Sequence, residues 1–345
     1  MINNKFILVA GPCAAESAEQ VQTTAQAVAT IGMKHGLMPL LRAGIWKPRT
    51  SPDTFQGIGK KGLPWLIQAQ QDTQLSAATE VATVEQLQQT LQAGITAIWI
   101  GARTGADPIA VQHLADAISL APVKPQFVLI KNPVNEDAAL WIGNIVRIQS
   151  ALKGSDTHII AVHRGCNHRP CWHMAHSLRK AMPDMPILLD PSHISGDASL
   201  ISQLMLKAVS LGYNGWMVEV HPNPSQAMSD SKQQITPSTL DKILSECSKF
   251  SQSSEFSEPS ELLWLRAQID EVDETIWTAI ADRLHIVQQI GTLKQQYGMD
   301  AYQPERYQTL LNERLTWAQK NGLPEETVRS ILNAIHDACV NLQRH

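Results

Sequence analysis

Long apolar runs are missing from this 345-residue sequence. No stretch approaches the ~20 residues of a helical membrane span. An export signal also lacks its core, because the apolar run at residues 6–10 stops at Gly11-Pro12, short of the ~7–15 residues such a signal needs. Cysteine is scarce: Cys13, Cys166, Cys171, Cys247 and Cys339 are odd in number and irregularly spaced, which excludes a disulfide framework and suits the cytoplasm. A dominant charge is absent too, since 28 basic and 32 acidic residues leave a formal net charge of −4. Binding to nucleic acid or to an acidic membrane through bulk charge is therefore not expected, and an anionic ligand must be met by a focused pocket. Nor does any apolar strand run into a G-x-G-x-x-G turn, the mark of an open dinucleotide-binding sheet.

Core-forming residues are plentiful, with 43% hydrophobic and 17% charged. That balance describes a soluble globular chain of about two domains. Eight short apolar runs recur, at residues 6–10, 37–41, 75–79, 97–100, 127–130, 159–162, 187–189 and 216–220. Segments of helical periodicity separate them, among them 18–33, 84–93, 136–152 and 200–211. Repeated strand-then-helix units of this kind predict a closed α/β (β/α)8 barrel, the TIM barrel, over residues 1–247, with its active site at the carboxyl ends of the strands. A serine-rich stretch without apolar periodicity, 248–260, reads as a linker. From 261 to 345 the pattern is all-helical: one helix to about residue 295, a second from Pro304 to Lys320, and a third from Pro324 to Gln343. The first carries a stripe (Leu262, Leu265, Ile269, Val272, Ile276, Ile280, Val287, Ile290) longer than two shorter helices can cover, so a homodimer through this domain is expected.

Nearly every strand of the barrel ends in a group able to hold an anion or a metal. Arg42, Lys47, Arg49, Arg103, Lys131 and Arg164 gather at one end, a set built for dianionic ligands. Cys13, His193, Glu219 and Asp230 follow strands 1, 7 and 8, which become neighbours when the barrel closes. One thiolate, one imidazole and two carboxylates suit a divalent transition metal, Mn²⁺ foremost, with Fe²⁺, Co²⁺ or Zn²⁺ as alternatives. The histidine- and cysteine-rich segment 163–176 superficially resembles a zinc cluster, but its spacing matches no standard finger. Its expected task is to position Arg164.

Taken in order, Gly11-Pro-Cys13, Lys47-Pro-Arg-Thr-Ser51, Gly101-Ala-Arg103, Lys131-Asn-Pro133, His163-Arg-Gly165, Asp190-Pro-Ser-His193 and the closing Glu219 and Asp230 resemble the type I beta 3-deoxy-D-arabino-heptulosonate 7-phosphate (DAHP) synthases over residues 5–245. The sister octulosonate 8-phosphate synthases share two of these motifs, and the Lys47–Ser51 segment favours the heptulosonate enzymes. The resemblance implies that Arg42, Lys47, Arg103, Lys131 and Arg164 hold phosphoenolpyruvate, and that Arg49, Thr50 and Ser51 hold the phosphate of erythrose 4-phosphate. It also implies that Cys13, His193, Glu219 and Asp230 ligate the metal and that Lys47 protonates the new alkoxide.

Residues 261–345 resemble the all-helical chorismate mutases through Arg266, Asp270, Ala281-Asp-Arg283 and Gly291-Thr-Leu-Lys294, with Arg306 and Gln343 on the following helices. Arg283 and Lys294 lie about 20° apart around a helix, whereas Arg266 is about 100° away, so two of these cations can share a pocket while Arg266 serves another. The resemblance assigns chorismate carboxylates to Arg266, reaching in from the partner chain, and to Arg283, with Lys294 and Gln343 on the breaking ether. Gln303 stands where the family often has an acid, and Cys339 where serine is common. The sequence thus reads as a bifunctional aromatic-pathway enzyme in which prephenate, bound by the helical domain, inhibits the barrel. With the barrel beginning at Phe6, control is expected from the C-terminal side. The alternative is an octulosonate 8-phosphate synthase whose helical domain only senses and dimerises.

Overall fold

The structure, a computed structural model, describes residues 5–47, 53–253 and 260–344. Eight parallel strands close a barrel in sequence order: β1 (Ile7–Gly11), β2 (Met38–Arg42), β3 (Ala77–Val81), β4 (Ala97–Ile100), β5 (Phe127–Lys131), β6 (His158–His163), β7 (Ile187–Leu189) and β8 (Gly215–Glu219). Every apolar run of the sequence thus forms a strand, shifted by no more than two residues. The seam between β1 and β8 pairs Val9 with Met217 and Gly11 with Glu219.

Side chains alternate across a strand, so every second residue enters the barrel. Ile7, Val9, Leu40, Ala78, Ala97, Trp99, Phe127, Leu129, Ile160, Val162, Leu188 and Met217 form the inner apolar cluster. Two residues further along the same alternation come Gly11, Arg42, Glu80, Gly101, Lys131, Arg164, Asp190 and Glu219. A ring rich in charge therefore stands on the apolar plug, one position from each strand. Gly11, at φ +148°, takes a conformation L side chains rarely adopt, and a Cβ there would strike the Arg42 carbonyl. Its bareness leaves room for β2 and β8 to exchange contacts across β1.

The intervening helices are α1 (Ala18–Lys34), α2 (Leu63–Thr73), α3 (Val84–Gln92), α4 (Pro108–Leu120), α5 (Ala138–Ala151), α6 (Trp172–Ala181), the single turn α7 (Pro191–Ser195), α8 (Ile201–Ser210) and α9 (Pro237–Ser253). Several open on the side-chain caps that fix a strand-to-helix loop: Ser17, Thr83, Asp107 and Asp137 each accept a backbone N–H of the first turn. The expected linker at 248–260 begins inside α9, because Leu240, Ile243, Leu244 and Cys247 bury at helical spacing and carry the helix to Ser253. Residues 254–259 lie outside those described.

Three longer helices follow: α10 (Ser260–Gln296), α11 (Pro304–Lys320) and α12 (Glu325–Arg344). The chain divides into compact units Met1–Gln268 and Ile269–His345, so the start of α10 belongs to the barrel unit, eight residues beyond the expected boundary. The reason is Trp264. Its indole, 2% exposed, joins the barrel's outer core beside Trp172 and Tyr213 and stacks on His176 at 5.7 Å. Glu261 braces the same turn, 2.8 Å from His176 Nε2 and 2.7 Å from Lys180 Nζ.

In the second unit, the Arg283 guanidinium on α10 meets Cys339 Sγ on α12, and the Tyr307 hydroxyl of α11 bonds Asn333. Ile269, Val272, Ile276, Trp277 and Ile290 remain exposed.

His163 shows how the outer layer tolerates a buried polar group. Its ring stacks against Trp141 and Tyr213, and Nδ1 lies 2.7 Å from the Tyr213 hydroxyl. Burial above all, with His173 and Arg164 acting in the same sense, pushes its pKa down to about 3. An unfolded chain binds a proton on this imidazole from about pH 6.5 downward. Between those pH values the unfolded state holds the extra proton, so stability falls on acidification by about 1.4 kcal/mol per pH unit from this group. His163→Phe should flatten that part of the slope in urea unfolding between pH 7 and pH 5. An unchanged slope would show that the site does not resist protonation.

Candidate active site

The charged ring is arranged in pairs that reach over an intervening strand. Arg42 Nη2 bonds Glu219 Oε1 at 3.0 Å across β1, and Lys131 Nζ bonds Asp190 Oδ2 at 2.6 Å across β6. Both pairs are almost fully buried. Taking two charges out of water offsets most of their attraction, so such pairs are weak evidence of stability, and their presence at one end of a barrel indicates a chemical task. Burial works against the charge on Arg42, but Glu219 and Asp190 outweigh it and hold the guanidinium above its usual pKa. Glu219 is pushed up by burial and pulled down further by His193, Arg42 and Lys47, so it too is ionised. Arg42 keeps Nε and Nη1 buried without hydrogen-bond partners among the described residues, over the Trp99 ring at 5.0 Å.

The β1–β8 seam also brings three metal-capable groups together. Ligand atoms of Cys13, Glu219 and Asp230 lie within 4.8 Å of one another. Cys13 Sγ donates to Asp230 Oδ2 at 2.8 Å, and its thiol is pushed up to about 12, chiefly by burial and then by Glu219. The His193 ring stands beside this group, with Nε2 3.6 Å from Glu219 Oε1 and Nδ1 2.9 Å from Asp190 Oδ2. Burial lowers the His193 pKa against the pull of Asp190. An Nδ1–H donated to Asp190 would turn the Nε2 lone pair inward, the arrangement that orients a histidine toward a metal.

The donor set therefore fits a divalent transition metal. One sulfur and two carboxylates converge, the His193 imidazole stands beside Glu219 outside that tight group, and the thiol proton now donated to Asp230 is the one a cation would replace. Asp230 is held in the left-handed region at φ +50°, where a non-glycine residue is costly, consistent with a functional constraint.

Lys47 reaches over the seam, Nζ to the Cys13 carbonyl at 3.1 Å. Burial lowers its pKa, but Cys13, Glu80 and Glu219 together hold it above the ordinary lysine value, so it carries a proton at neutral pH. Arg164 is fixed through its backbone, whose N–H bonds Asn132 Oδ1 at 2.6 Å, while Asn132 Nδ2 donates to the Gly165 carbonyl at 3.1 Å. Arg103 lies exposed just beyond β4. Arg49, Thr50 and Ser51 lie outside the described residues.

Several members of the site carry no motif in the sequence. Glu80 is the inward group of β3 and acts on both Arg42 and Lys47. Gln233 Nε2 bonds the second oxygen of Glu219 at 2.7 Å, Gln234 Oε1 accepts the Cys13 N–H at 3.1 Å, and the Ser192 hydroxyl accepts the Glu219 N–H at 3.0 Å. Alternation along β3 could have shown Glu80, whereas the glutamines act only after the loop beyond β8 has folded back. The segment 163–176 gathers no zinc set: His163 packs outward, His176 faces Glu261, and Cys166 and Cys171 bury with Met174.

In the second unit, Lys294 Nζ bonds the Ala301 carbonyl at 2.7 Å, and Gln343 Nε2 bonds the Cys339 carbonyl at 3.3 Å while its Oε1 is buried without a partner among the described residues. Arg283 and Lys294 are half-buried and Arg306 is exposed. Gln303 begins α11, and Arg266 falls within the barrel unit.

Two family models match the sequence: the DAHP synthetase I family over residues 2–253, and chorismate mutase type II over residues 265–344. The phospho-2-dehydro-3-deoxyheptonate aldolase of Thermotoga maritima is 30% identical over 255 residues, 72% of this chain and 70% of that protein. A 2-dehydro-3-deoxyphosphooctonate aldolase of Vesicomyosocius okutanii is 26% identical over 70% of this chain and 90% of its own. The T-protein of Enterobacter agglomerans is 36% identical over 76 residues, 22% of this chain and 20% of that protein. Among solved structures, the DAHP synthase of Thermotoga maritima superposes with a TM-score of 0.61 at 28% identity, over 73% of this chain and 70% of that one.

Proposed function

The chain belongs to the DAHP synthetase I family and carries a chorismate mutase domain behind its barrel, and on that premise we propose how its residues divide the two reactions. The observation that carries the reading is the meeting of Cys13, Glu219 and Asp230 beneath Lys47 and Arg42 at the carboxyl end of the barrel. Arg42, Lys131 and Arg164, with Arg103 and Lys47, bind the carboxylate and phosphate of phosphoenolpyruvate. The unpartnered nitrogens of Arg42 support this. Arg49, Thr50 and Ser51 take the phosphate of erythrose 4-phosphate. The family is metal-dependent, and Cys13, His193, Glu219 and Asp230 would hold the ion, Mn²⁺ first among Fe²⁺, Co²⁺ and Zn²⁺. When bound, it supplies Lewis acidity to the aldehyde.

Carbon 3 of phosphoenolpyruvate attacks the aldehyde carbon, Lys47 gives its proton to the new alkoxide, water adds at carbon 2, and inorganic phosphate leaves. The ring of fixed charges does the remaining work by orienting both anions before reaction. In the helical domain no proton moves. Chorismate rearranges to prephenate within a cationic cage of Arg283, Lys294 and Gln343, with Gln303 and Arg306 on the second helix and Arg266 from a partner chain.

The exposed stripe through Ile269, Val272, Ile276 and Ile290 supports a homodimer of this domain. Mixing Arg266→Ala and Lys294→Ala chains should restore mutase activity if each pocket draws on both subunits. Subunit exchange without recovery would refute shared sites.

Prephenate, the mutase product, inhibits the barrel in this reading. A coupling of about 1–3 kcal/mol would weaken apparent substrate affinity about 5-fold to 150-fold. One set of assays on the full chain with Mn²⁺ tests the whole proposal. Erythrose 4-phosphate should be consumed and arabinose 5-phosphate refused, chorismate should turn over, and prephenate should inhibit the native chain but not Arg283→Ala. Use of arabinose 5-phosphate instead would make the barrel an octulosonate 8-phosphate synthase, and inert chorismate would reduce the helical domain to a sensing and dimerising module.

A further inference from the structure

His336 lies on α12, one turn before Cys339 and two before Gln343. At 100° per residue it shares a helix face with Gln343 to within about 20° and with Cys339 to within about 60°. That face is the one turned to α10, since Cys339 Sγ meets Arg283 and Gln343 packs against Gly291, one turn before Lys294. The imidazole is held from the other side by aromatic rings, Tyr307 at 4.2 Å between centroids and Tyr302 edge-on at 5.6 Å. Its Nε2 is buried and has no hydrogen-bond partner among the described residues. A polar nitrogen that is desolvated and left unsatisfied on the helix face turned to Arg283 is a group awaiting an anionic or hydroxylated ligand.

We propose that His336 is a substrate-contacting residue of the mutase pocket, its Nε2 bonding a carboxylate of the bound dicarboxylate alongside Arg283 and Lys294. The inference rests on the mutase reading of the helical domain and adds to it a residue that neither motif nor spacing marks. Burial lowers the pKa of His336; Asp337 on its own helix raises it, and Arg283 and Lys294 lower it again. Tyr302 and Tyr307 are the other titratable groups that face it. A bound dianion reverses the effect of the two cations. The ring then takes up a proton on binding, and KM for chorismate falls as the pH is lowered from 8 to 6.

The test is mutase kinetics of the full chain over that range, with Lys294→Ala as the control for the domain's activity. His336→Leu should raise KM about tenfold, with a smaller change in kcat, and abolish the pH dependence of KM. His336→Gln, which retains a donor but cannot titrate, should restore most of the KM while leaving it independent of pH. Synthase activity should be unaffected in both. If the native chain turns over chorismate and either folded variant retains the native pH profile, the proposal is overturned. If the native chain and the Lys294→Ala control are both inert toward chorismate, the mutase reading itself has failed. Should His336→Leu not fold, the pH profile of His336→Gln decides.

Discussion

Cys13→Ala is expected to lower synthase turnover by about 10³-fold or more at any metal concentration, while chorismate turnover stays native. The expectation follows from the donor set. Cys13 supplies the sulfur of the metal-capable group, and a Lewis acid contributes several kcal/mol to such a reaction, each ~1.4 kcal/mol being a factor of ten. Alanine removes a single atom from a buried position, so the fold should survive. Chelation of the native protein should abolish the same activity and Mn²⁺ should restore it. Undiminished turnover by the alanine variant would remove Cys13 from the ligand set.

Lys47→Ala should cost about 10²-fold or more in synthase rate, the usual loss with a general acid. The structural basis is the protonated ammonium held by Cys13, Glu80 and Glu219 within reach of the metal-capable cluster. Lys47→Arg separates charge from proton transfer, because a guanidinium binds anions but does not give up its proton. It should restore phosphoenolpyruvate affinity without restoring the rate. Recovery of the rate by arginine would show that Lys47 acts by charge alone, and an equal loss of mutase activity in either variant would indicate damage to the fold.

Most of the barrel was legible in the sequence because a parallel strand buried on both faces must be a short apolar run, and a helix must follow it. The groups ending those runs were legible for the same reason: a charge closing an apolar strand has nowhere to go but the rim. What escaped reading was whatever depends on pairing across the barrel. Lys131 gives no sign in sequence that Asp190 is its partner, since β6 lies between them. Glu80 sits in a run that alternation alone makes inward, without a motif to mark it. Gln233 and Gln234 are neutral, in a loop, and take on meaning only once Glu219 and Cys13 are neighbours. The barrel unit runs on past the serine-rich stretch because Trp264 belongs to the helical pattern of α10 and yet packs on Trp172 and Tyr213. Composition marks a serine-rich stretch, but it cannot show where the hydrophobic contacts end.

The seam between β1 and β8 has a consequence for how the enzyme comes into being. Cys13 and Asp230 are separated by 217 positions along the chain, so the first group is made long before the last. At a synthesis rate of about 5–20 residues per second, roughly 10–40 s pass between them. For nearly all of that interval the thiol waits on a nascent chain that offers it neither Glu219 nor Asp230. The cluster can form only when the final strand closes against the first, so any metal held through Cys13 should arrive with the finished barrel, and a ribosome-bound fragment ending before β8 should retain none.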